Sequence, residues 1–141
     1  MNLKYCFSLM LVFIVLLQAK SQTYKFLTTG FSVMERNDQG DWSKWSDLKD
    51  TSIVISLDTT KNRIIIYSQE IQLYDILNYE DKEENETDLI YPFTCKDDDG
   101  VPFTLSIITR KNQNDRKQLY ISHANFIVVY NIVNFIDKNE K

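Results

Sequence analysis

His123 and Cys95 are the residues of this 141-residue chain for which catalysis would be simplest to argue. A serine or thiol nucleophile needs a base within hydrogen-bond reach, and His123 is the only imidazole in the sequence. It ends the run "LYISH", where a lone histidine at a strand end ordinarily serves structure. Nothing in the sequence brings it to Cys95 or to a serine. Zinc requires three or four Cys, His or carboxylate ligands, and soft donors are too few for that. The three glycines, Gly30, Gly40 and Gly100, lie too far apart for a phosphate-cradling loop. No catalytic residue, metal ligand or cofactor is therefore assigned.

Carboxylates offer a second chemistry. "DDDG" at 97–100 presents hard oxygen ligands of the kind calcium takes, but calcium loops space their acids alternately and close with a distant bidentate glutamate. Contiguous Asp97, Asp98 and Asp99 send their side chains apart, and an Asp-Gly hairpin turn accounts for them. The 20 acidic residues could be paired in many ways for glycoside hydrolysis, so their number discriminates nothing.

The aromatic residues offer a third. In "GDWSKWSDL", Trp42 and Trp45 are three apart and would point to opposite faces of a regular strand. A polyproline-like stretch, with a period near three, would align them instead. The expectation is a plug or lid over an open barrel end or sheet edge, with Trp45 buried and Trp42 nearer the "NDQGD" turn and solvent. The functional alternative is an exposed platform for a sugar or peptide, and these two residues are the ligand-binding candidates. "WSKWS" matches the tryptophan-serine box of cytokine receptors in its letters alone. That box lies near the end of a cysteine-bearing sandwich, before a membrane span. Thrombospondin-type repeats need disulfides that this chain has no cysteines to make.

The elements that must position these residues read as strands. Ile53, Ile55 and Leu57 alternate; so do Leu89, Tyr91, Phe93 and Cys95, then Phe103, Leu105 and Ile107, then Leu119 and Ile121, and finally Phe126, Val128, Tyr130 and Ile132. Period two with many β-branched and aromatic residues signals half-buried strands. "RIIIY" at 63–67 is apolar on both faces. "NDQGD", "DTTKN", "DDDG" and "KNQNDRK" supply turns between the runs. Residues 71–79 change phase between Leu73 and Tyr74, which a β-bulge would explain and a short helix would also allow. The acidic "EDKEENETD" that follows is a solvated loop containing the sequon Asn85-Glu86-Thr87. The whole predicts an all-β antiparallel meander of about seven or eight strands, either a small lipocalin-like barrel or a sandwich.

Residues 1–21 have the form of a secretory signal. Lys4 gives a positive start and "FSLMLVFIVLL" an apolar run shorter than the about 20 residues a membrane helix needs. Ala19 and Ser21 put small side chains before a cleavage point between Ser21 and Gln22. One exported β domain, 22–141, then remains, with a secreted or periplasmic location and no membrane anchor. Lys4 and Lys20 are the only charges in the signal, so 14 basic residues face 20 acidic ones and the net charge is −6. That sign repels phosphate backbones, which excludes nucleic acid as a natural partner. Cys95 is then the one remaining thiol, unable to form an internal bridge and expected to be buried.

"QTYKF", "WSKWSD", "IIIYS", "LYDIL", "FTCKDDDG", "LYIS" and "VVYNI", in that order, resemble a family of small exported bacterial proteins of unknown function, over nearly all of 22–141. The resemblance implies a bacterial envelope or extracellular setting and a β architecture, with no activity, ligand or catalytic residue. The expected function is a non-enzymatic binding module for an apolar, glycan or protein ligand. A structural or inhibitory envelope protein, and then a carboxylate hydrolase, are the alternatives.

Overall fold

The computed structural model describes residues 22–135; the expected signal, 1–21, and the Ser21 side of its cleavage point lie outside them. Every regular element is a strand: β1 (Thr23–Glu35), β2 (Lys49–Asp50), β3 (Val54–Asp58), β4 (Arg63–Ile66), β5 (Gln72–Tyr79), β6 (Glu83–Glu84), β7 (Asp88–Lys96), β8 (Pro102–Arg110), β9 (Arg116–Ser122) and β10 (Phe126–Asn134). Eight of them, β1, β3, β4, β5, β7, β8, β9 and β10, pair antiparallel with their neighbours in that order. The sheet closes because β1 also pairs with β10, from Phe26 opposite Asn134 to Glu35 opposite Phe126. The architecture is an eight-stranded antiparallel barrel, not a sandwich, and closure leaves no open sheet edge to template aggregation. β2 and β6 are short additions to β1 and β7.

Local chemistry makes the hairpins. In the turn between β7 and β8, one Asp97 carboxylate oxygen accepts from the amides of Asp99 and Val101, and Gly100 takes φ +77°. Only glycine adopts that left-handed geometry without steric cost. Asp58 does the same work after β3, accepting from the Thr60 and Lys61 amides. Between β8 and β9, Asn114 and Asp115 both take positive φ, as short polar side chains tolerate.

Inward-facing residues fill most of the barrel in pairs, one pair to a strand: Ile55 with Leu57, Ile64 with Ile66, Tyr74 with Ile76, Phe93 with Cys95, Phe103 with Leu105, Leu119 with Ile121 and Tyr130 with Ile132. Each large apolar side chain buried this way contributes about 1.5–3 kcal/mol. An eight-stranded barrel has an interior just wide enough for such filling. "RIIIY" is apolar on both faces yet is an ordinary barrel strand: Ile64 and Ile66 point inward, while Ile65 is half-buried on the outside opposite Ser56.

Two strands depart from simple alternation. β5 is a strand with a bulge, as the phase argument favoured, but the bulge lies between Ile76 and Asn78, beyond the 73/74 phase change. Ile71 and Leu73 face outward, Tyr74 and Ile76 inward, and the bulge ejects Leu77 to solvent and turns Tyr79 back toward the barrel. β1 carries a second bulge between Thr28 and Gly30. It moves the inward phase from Phe26 and Thr28 to Phe31, hiding a 13-residue strand from a period-two reading.

Candidate functional site

The barrel is closed at one end and hollow at the other. At the closed end the Phe103 ring meets Tyr74 edge-on at 5.1 Å, and packs on Phe126 and His123. Further along the same strand, Ile107 and Thr109 belong to the opposite end, where a cup of about 450 Å³ opens. A volume of that order is typical of small-ligand sites. Phe26, Leu57, Phe93 and Ile107 form its apolar floor, and seven of the eight barrel strands contribute inward-facing residues to its wall.

Tyrosines ring the mouth. Tyr24, Tyr79 and Tyr91 are each about 45% exposed, with apolar rings toward the cup and hydroxyls at the water boundary. The Tyr79 hydroxyl donates to Asn62 Oδ1 at 2.8 Å, and its ring meets Phe93 edge-on at 5.7 Å. Burial, and then the neighbouring Asp58 carboxylate, raise the Tyr79 pKa, so it remains a neutral donor. Lys117 is the one charged side chain among the lining residues. It shares the inward phase of Leu119 and Ile121 and pairs across the sheet with Thr109 and Ile132. The cup can exclude water from an apolar group and offer hydroxyls and an ammonium at its edge. Its lining holds no histidine, thiol or carboxylate to act as nucleophile or base.

Trp42 and Trp45 lie elsewhere. After β1 the chain reverses at Asn37–Asp41 and runs back along the outer half of that strand. The Ser43 amide donates to the Glu35 carbonyl at 2.7 Å while its hydroxyl oxygen accepts from the Glu35 amide at 3.0 Å; Ser46 repeats the exchange with Val33. The segment thus advances three residues while β1 advances two, the period-three spacing that "WSKWS" suggested. Leu48 and the Lys49 carbonyl come so close to Gly30 that a Cβ there would meet them at 3.1–3.3 Å.

The plug expectation is therefore corrected. Trp42 and Trp45 are 41% and 42% exposed, neither belongs to the core, and Trp45 is no more buried than Trp42. Their serines, not their rings, secure the segment. The Arg36 guanidinium lies 5.6 Å over the Trp42 ring, and Trp45 meets Tyr120 edge-on at 6.3 Å. Tyr120 in turn accepts from Arg110, which pairs with Asp88 at 3.0 Å.

The other singled-out residues have local roles. His123 stacks on Phe126 at 4.7 Å, and its Nδ1 accepts from the Asn125 amide in the turn before β10. Cys95 is completely buried, and burial, followed by Asp75, pushes its thiol pKa up to about 12. Asp97 is committed to its turn. The structure brings none of Trp42, Trp45, Cys95 and Asp97 to the cup. Sequence reasoning missed Tyr24, Tyr79, Tyr91 and Lys117; the available signal was a lysine on the inward phase of an otherwise apolar strand.

No protein-family model matches the chain, and no curated protein and no solved structure matches it either.

Proposed function

We propose that this chain is a non-enzymatic binding module acting outside the cytoplasm, in a bacterial envelope or its surroundings, whose ligand enters the tyrosine-ringed cup. The carrying observation is the cup itself: an apolar floor and a polar rim built from inward-facing residues of seven strands. Packed cores at ordinary density leave few such spaces. The signal-like form of residues 1–21 supports the location, and intact-mass analysis of exported protein should find Gln22 at the N-terminus.

Titration with neutral, apolar 1-aminoanthracene tests the cup. Saturable fluorescence enhancement is expected with residues 22–141, and its loss in Ile107→Trp, which fills the floor. Thr109→Phe obstructs the wall from the next inward position and guards against a misfolded first variant. Enhancement that survives in both folded variants would overturn the reading.

A second reading has Trp42, Trp45 and Tyr120 receive a glycan or protein on the outer surface. Its support is the exposure of both tryptophan rings. Intrinsic tryptophan fluorescence separates the two, because neither tryptophan lines the cup: an outer ligand should shift the emission, and a cup ligand should leave it nearly unchanged.

A further inference from the structure

We infer that the cup selects a single-chain amphiphile with an anionic, carboxylate-type head held by Lys117; this rests on the cup reading and names its ligand class. Lys117 is half-buried in a wall otherwise made of apolar, hydroxyl and amide groups. A cation in such a place is costly unless something compensates it. On the outside of the barrel at this same end, Arg110 pairs with Asp88 at 3.0 Å and Lys111 with Glu84 at 2.7 Å. Among the described residues, no carboxylate stands in the same relation to Lys117. An anionic head entering with its tail on Phe26, Leu57, Phe93 and Ile107 would supply that partner.

Size and charge narrow the class. A cup of about 450 Å³ takes one medium-length chain rather than a two-chain lipid. The net charge of −6 expected for 22–141 repels anionic bilayers, so the ligand is a free amphiphile and not a membrane surface. Anion preference must then come from the local ammonium, through a charge-assisted contact made out of bulk water.

Competition against 1-aminoanthracene with decanoate and with decanol, equal in chain length and different in head, tests this on residues 22–141. Decanoate should displace the probe at a concentration roughly tenfold lower than decanol, the factor expected of one charge-assisted hydrogen bond. Lys117→Gln should bring the two together by weakening decanoate alone, and Lys117→Arg should keep them apart. Equal displacement by both in the unmodified protein, displacement by neither, or a decanoate preference surviving in Lys117→Gln would overturn the assignment. The unmodified comparison decides even without a folded variant. Absence of probe binding would strike the cup reading itself, a distinguishable result.

Discussion

Ser46 and Val33 exchange two hydrogen bonds: the Ser46 amide donates to the Val33 carbonyl at 2.9 Å, and the Ser46 hydroxyl oxygen accepts from the Val33 amide at 2.9 Å. One residue thus does the work that two positions share in an ordinary antiparallel ladder. The side chain reaches back to cover a backbone donor that the three-residue advance of the segment would strand. Ser46→Ala removes that acceptor and should cost about 1 kcal/mol, the loss typical of one such bond. Ser43→Ala should cost a similar amount through Glu35, and urea denaturation of each measures it. A negligible loss at both positions would mean that water replaces the hydroxyls freely.

Trp42→Ala and Trp45→Ala should each cost clearly less than the about 3–5 kcal/mol of a buried large aromatic. Trp45→Ala should be the costlier, because it also removes the edge contact with Tyr120, worth about 0.5–1.5 kcal/mol. Thermal unfolding of the pair gives the order. A loss at Trp45 as large as a core deletion would restore the plug.

Cys95 should make stability fall in alkali. Its folded pKa is raised to about 12 from 9.0, so the unfolded chain releases the proton first as pH rises. The stability is fully present below pH 9 and is lost progressively between about 9 and 12. Tyr74, raised to about 12 mainly by burial, should add to the loss from about pH 10. Cys95→Ala should unfold at a lower temperature near pH 7, from the cavity it leaves, and show a shallower decline above pH 9. Native protein should react slowly with a thiol reagent and rapidly in denaturant.

The turn after β7 supplies a test of the acidic cluster. Gly100→Ala meets no atom within 4 Å, so its cost should come from φ +77° alone, about 1 kcal/mol. Asp97→Ala should cost about 1–2 kcal/mol by releasing two backbone amides. Millimolar calcium should leave the melting temperature unchanged. A binder held at 100 times its dissociation constant would gain about 2.7 kcal/mol, readily visible as an upward shift.

The strand content was legible because pleating is local: alternate side chains of β7, β8, β9 and β10 face opposite sides wherever those strands lie. Asp97, Gly100 and Asp58 marked their turns for the same reason, since each acts on backbone within four residues. β1 escaped this reading because its bulge at Thr28/Gly30 changes phase midway, and the pairing that holds it straight comes from β3 and β10, near opposite ends of the described chain.

The sequence by itself thus determined an antiparallel β chain, its turns and a thiol facing inward with Phe93. Tertiary structure alone decided that the sheet closes, that Trp42 and Trp45 lie outside it, and that Lys117 stands among tyrosines at an open end. Closure and mouth depend on the register between β1 and β10, about a hundred residues apart, and on the tilt and stagger that eight strands need to meet. No window of neighbouring residues carries that register, so phase shows which side chains turn inward and leaves to the closed barrel whether they meet a packed core or a cup.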